Sequence, residues 1–89
     1  MKKWVMFEIT NGDSFETVLN AENKQDAINE ALGIWNRMTS FDQKRDIECY
    51  IGYVDVEHDE DTDRDIIDYS GVPAEYYADI RSIASNSDI

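Results

Sequence analysis

The chain has 89 residues, 42% apolar and 11% aromatic, with a formal net charge of −12. That length suits a single domain, residues 1–89, with a modest core, and the apolar share excludes wholesale disorder. Cys49 is the only cysteine, which excludes an internal disulfide and a cysteine-only metal cage and agrees with a reducing compartment.

The opening Met1-Lys2-Lys3 and the apolar stretch Trp4–Phe7 stop at Glu8, far short of a signal-peptide core. No later window approaches the roughly 20 apolar residues that a membrane-spanning helix needs. A cytoplasmic location without membrane association is therefore expected.

Lys3 to Ile9 and Phe15 to Leu19, separated around Asn11-Gly12, predict a β-hairpin. Two registers compete. A two-residue Asn-Gly turn pairs Phe7 with Glu16 and Ile9 with Ser14. A three-residue loop, Asn11-Gly12-Asp13, aligns Val5/Leu19, Phe7/Thr17 and Ile9/Phe15 on one face, buries more apolar surface and is the expected register, with a bulge. Trp4 and Met6 then lie on the opposite face. If helices cover only one face of the sheet, Trp4, Met6 and Val18 form an exposed apolar patch suited to an interface.

From Asn23 the period becomes helical, with Ala27, Ile28, Ala31, Leu32, Trp35 and Met38 on one stripe. Asn23 is the expected cap, Asp26 suits the positive end of the helix dipole, and the helix should run from Lys24 to about Met38. Ser40 with Gln43 reads as a capping box before a short turn, Phe41 to Arg45.

Ile47 to Val56 alternates with apolar residues on both sides, Ile47, Cys49, Ile51 and Tyr53 against Tyr50, Val54 and Val56, as a central strand does. Ile66 and Ile67 suit a short strand returning against it or a single helical turn, of which the strand is expected. Gly71-Val72-Pro73 punctuates the chain, Tyr76, Tyr77, Ile80, Ile83 and Ala84 predict a second amphipathic helix to about Ala84, and Ser85 to Ile89 should fray. Trp35, Met38, Tyr76 and Tyr77 read as core residues. The fold class is α+β, a small antiparallel sheet in the order β-β-α-β-(β)-α with two helices packed on one face.

The charge is one-sided. Residues 1–45 carry six Lys/Arg and seven Asp/Glu, whereas residues 46–89 carry two and thirteen. Direct binding to nucleic acid or to an anionic membrane is disfavoured, because phosphates would be repelled. A basic protein partner is favoured by the same physics.

No constellation points to catalysis. Asp59, Asp61, Asp63 and Asp65 begin like a calcium loop, but Arg64 stands where that loop needs glycine and Ser70 where it needs a bidentate glutamate. His58, the only histidine, has only acids beside it, and Cys49 reads as a small buried residue on a strand. The four glycines, at positions 12, 33, 52 and 71, are isolated and form no phosphate-binding loop. Among twenty acids some pair will always match the spacing that glycoside hydrolysis requires, so that spacing identifies nothing. The expectation is a non-enzymatic protein without cofactor or bound metal.

In an extended strand, Asp59, Asp61, Asp63 and Asp65 would recur about every 6.6 Å on one side. Counted with Glu57, Glu60 and Asp68, the charge density rivals that of a DNA strand. Small size, acidity, the hairpin Trp4–Leu19, the helix A-I-x-x-A-L-x-x-W over Ala27 to Trp35 and the run E-H-D-E-D-T-D-R-D together resemble the small acidic proteins of phages and mobile elements that block restriction or CRISPR nucleases. The resemblance implies a stoichiometric binder of a basic, nucleic-acid-handling protein. From the acidic run itself, docking is expected through Glu57, Asp59, Glu60, Asp61, Asp63, Asp65 and Asp68. The alternative is an assembly module that homodimerises through the hairpin face or a sheet edge, its acids serving solubility alone.

Overall fold

The computed structural model describes residues 1–68 and 76–86. Strand β1, Lys2–Thr10, turns through Asn11-Gly12 into β2, Ser14–Val18. Helix α1, Lys24–Arg37, and the short α2, Ser40–Arg45, lead into the long β3, Asp46–Asp59. Strands β4, Arg64–Ile67, and β5, Tyr76–Asp79, precede α3, Ile80–Asn86. The sheet is antiparallel and curled, in the order β2-β1-β3-β4, with β5 also paired to β3.

The hairpin takes the two-residue turn, not the expected three-residue loop. Val5 pairs with Val18, Phe7 with Glu16 and Ile9 with Ser14. Gly12 at φ 106° supplies the left-handed residue of the turn, and the Thr10 N–H donates to the Asp13 carbonyl at 2.9 Å. The expected register assumed that one face of β1 needed apolar partners from β2. Instead β1 is buried on both faces from Trp4 to Glu8, while Phe15 and Thr17 of β2 are exposed. Turn chemistry therefore sets the register. The irregularity lies elsewhere, between Ile9 and Thr10 where β1 pairs with β3.

Asn23 caps α1 as expected, its side chain accepting from the Asp26 N–H at 2.9 Å. The cap of α2 is Thr39, one residue before the expected Ser40, and it accepts from Asp42 N–H at 3.2 Å. Gln43 does not close a capping box; its amide donates to the Trp35 carbonyl at 2.7 Å and ties α2 to the end of α1.

Two apolar layers sandwich the sheet. On one side Trp4, Met6, Leu19, Cys49 and Ile51 pack under Ala27, Ala31 and Trp35 of α1 and Ile80 and Ala84 of α3. On the other, Val5, Phe7, Tyr50, Val54 and Val56 form a second cluster that holds no helical residue, with Ile9, Val18 and Ile67 around it. This second face is buried as well: Val5 and Phe7 are 0% and 1% exposed. Burying a side chain of this size stabilises by about 1.5–3 kcal/mol, so the second layer contributes to stability alongside the helix-covered one.

The chain from Tyr76 to Asp79 is a strand, where the helical stripe predicted a helix. Its pairing with Tyr50–Gly52 overrides the local pattern. Asp79 then starts α3, accepting from Ser82 N–H at 3.1 Å. Ser85 and Asn86 belong to this helix. The expected break at Gly71-Val72-Pro73, the fraying of 87–89 and the packing of the Tyr76 and Tyr77 side chains lie outside the described residues.

Candidate functional site

The acidic segment folds as a hairpin, β3 running out to Asp59 and β4 returning from Arg64. Residues 60–63 form its turn. Asp59 builds that turn: its Oδ1 accepts from Asp61 N–H and its Oδ2 from the Thr62 hydroxyl, both at 3.0 Å. Asp63 adopts a left-handed φ of 54°, a conformation that aspartate tolerates better than most residues. His58 turns one ring nitrogen to Asp63 and the other to Asp65, each at 3.1 Å.

This geometry corrects the expected row of carboxylates. Asp59, Asp61, Asp63 and Asp65 do not recur along one side of a strand, because the chain reverses direction between the first and the last of them. Reversal gathers them around the tip of the hairpin, with Glu60 in the turn and Glu57 on β3. Glu57, Glu60, Asp61, Asp63, Asp65 and Asp68 are exposed and Asp59 is half-buried. Arg64 and His58 are the basic side chains of the segment. Among the described residues, no group of three His, Cys, Asp or Glu is placed to hold a metal ion.

Trp4, Met6 and Val18 do not form an exposed patch. Trp4 and Met6 are 8% and 0% exposed beneath the helices, and Val18 belongs to the opposite face. Among the described residues the helices cover a single face, as expected, but it is the face of Trp4 and Met6.

A second acidic site, absent from the sequence reading, lies within the body. Asp46, at the start of β3, has its side chain fully enclosed, and Glu8 of β1 is nearly so. Arg45 binds both, with Nε to Asp46 Oδ1 at 3.1 Å and Nη2 to Glu8 Oε2 at 3.2 Å. Its Nη1 lies 3.6 Å from Asp42, and its guanidinium stacks on Phe15, 4.8 Å from the ring centre. Burial, followed by the hydrogen bond to Asp46 and the charge of Asp46, pushes the Glu8 carboxyl up to about 7. Asp46 Oδ2 is buried without any N–H donor, and a proton held on Glu8 gives the carboxyl pair its missing donor. The available signal was the period of two, which puts Glu8 on the same face as Trp4 and Met6.

Burial, then the charges of Glu8, Asp46 and Asp79, push the Cys49 thiol up to about 12. It stays protonated at physiological pH and packs in the core beneath the helices. Among the described residues, no helix is long and apolar enough to cross a membrane. No protein-family model, curated protein or solved structure matches this chain.

Proposed function

We propose that this protein is a non-enzymatic binding module, an inhibitor or adaptor that docks the Glu57–Asp68 hairpin on the basic surface of a nucleic-acid-handling protein. The observation that supports this reading is the concentration of seven acids in twelve residues on a defined β-hairpin, against one arginine and one histidine. Clustering at a hairpin end, without the regular spacing of phosphates, makes it a competitor for a cationic groove by charge density. Such charge governs on-rate and partner choice more than final affinity. In the alternative, an assembly module that dimerises through the hairpin face or a sheet edge, the Trp4–Met6 face is covered by helices, whereas that observation does not bear on a sheet edge.

Asp59 and Asp63 hold the turn, so the reversal that spares the fold is Glu57→Lys with Glu60→Lys and Asp61→Lys, termed the hairpin triple variant below. Immobilised wild type should retain a nuclease, polymerase or DNA-binding protein from lysate at low salt. High salt or added duplex DNA should release that protein, and the triple variant should not retain it. Equal retention by the variant would overturn the proposal.

A further inference from the structure

Helix α2 covers the buried carboxyl pair without joining the core. None of its six residues is buried, and Phe41 is 77% exposed. Among the described residues its polar ties to the rest of the fold run through two side chains, Gln43 to the Trp35 carbonyl and Arg45 to Glu8 and Asp46. The sheet beneath it is fixed. Glu8 stands on β1 between Phe15 of β2 and Cys49 of β3, paired on both sides. The charges that act on Glu8 are Asp46 of β3 and Arg45 and Asp42 of α2, while Asp79 of β5 and Arg81 of α3 act on the neighbouring Cys49. Asp46 is fully enclosed and one of its oxygens has no protein donor, so a proton between the two carboxyls holds the arrangement together. Losing that proton leaves an excess buried negative charge, which is relieved where water can reach it. Of the elements around the pair, α2 lifts with the least loss, because it takes no buried side chain with it.

We propose that α2 is a pH-sensitive latch, closed while Glu8 and Asp46 share a proton beneath Arg45 and lifted, admitting water to both carboxylates, once that proton is lost. The latch is independent of the docking role of the acidic hairpin. Closed, burial and Asp46 hold the Glu8 carboxyl at about 7, and access to water returns it toward its ordinary 4.5. The cost of opening is therefore constant below pH 4.5 and falls as the pH rises to 7. That interval permits a rise in the open population of roughly three-hundredfold at most. A weakly acidic medium keeps the latch shut, and a neutral or alkaline one loosens it.

The test is amide hydrogen exchange of the full chain across this pH range, corrected for intrinsic exchange chemistry. It is read at Asp42, Gln43 and Asp46, whose N–H groups donate to the Thr39 hydroxyl, the Thr39 carbonyl and the Asp42 carbonyl. From about pH 5 to about pH 8 their protection should fall on the order of tenfold or more. At every pH it should stay below that of β1 and β3 and be insensitive to sub-denaturing urea, the signature of a local opening. Glu8→Gln should abolish the pH dependence at these amides. Gln43→Ala, which removes the other tie, should lower their protection at every pH and keep the wild-type slope. An equal pH dependence in wild type and Glu8→Gln would overturn the latch. So would α2 amides with the protection and urea dependence of β1 and β3, because only global unfolding would then release the helix.

Discussion

Glu8 with Asp46 and the carboxylates of Glu57–Asp68 are the same chemical groups in opposite settings. In the body two acids are enclosed between β1 and β3, share one arginine and hold a proton to near neutrality. In the hairpin six of seven acids stand in solvent, where water screens their repulsion and leaves the charge facing outward. Burial, not local density of acids, makes the perturbed site, and exposure makes the field. On the proposed reading the two regions divide the work, the body carrying stability and its pH dependence and the hairpin carrying recognition.

The largest expected effect breaks the body. Phe7, fully buried and stacked on Tyr50 with centroids 5.2 Å apart, anchors the face without helices. Phe7→Ala should cost about 3–5 kcal/mol in denaturant unfolding. A loss below about 1 kcal/mol would show that this face is not a core.

Next comes the buried pair. The folded-state value of Glu8, about 7, lies above its ordinary 4.5, so its contribution to stability is full below pH 4.5 and is lost as pH rises to 7. Glu8→Gln keeps a donor for Asp46 and removes the titration. The variant should match wild type near pH 4 and exceed it by about 3 kcal/mol above pH 7, measured by urea unfolding across pH. Parallel profiles for the two proteins would contradict the assignment.

Smaller still is the stability effect of the hairpin triple variant. Its three side chains are exposed, so each substitution should change stability by no more than about 0.5 kcal/mol, read from thermal unfolding. Cys49 should resist alkylation in the folded protein and react on unfolding, since its thiol is buried and its ionisation is pushed to about 12.

Much of this division was legible in the sequence. The helix of Ala27, Ala31 and Trp35 and the two-faced strand around Ile51 follow from periodicity, because each buries the face that its spacing predicts, and the return at Ile66-Ile67 forms as expected against β3. The hairpin register was not, since preferring apolar cross-pairs ignored that β1 is buried on both faces and that Gly12 alone satisfies the turn. Tyr76–Asp79 became a strand because pairing with Tyr50–Gly52, far away in sequence, outweighs a local stripe. For the candidate site, composition located the acidic segment, but the expected straight row of carboxylates ignored the reversal at 60–63 that the returning strand at Ile66-Ile67 requires. Period two places Glu8 on the buried face, but its meeting with Asp46 was not legible, because the two are 38 positions apart and come together through β1–β3 pairing.

The most direct measurement pairs binding with stability in one variant. Affinity for the protein retained from lysate is measured against salt for wild type and for the hairpin triple variant, with thermal unfolding of both. If the hairpin carries recognition and the body carries the fold, wild-type affinity falls steeply with salt, the variant loses binding, and the two unfold within a few degrees of each other. Undiminished, equally salt-sensitive binding by a folded variant would contradict that division.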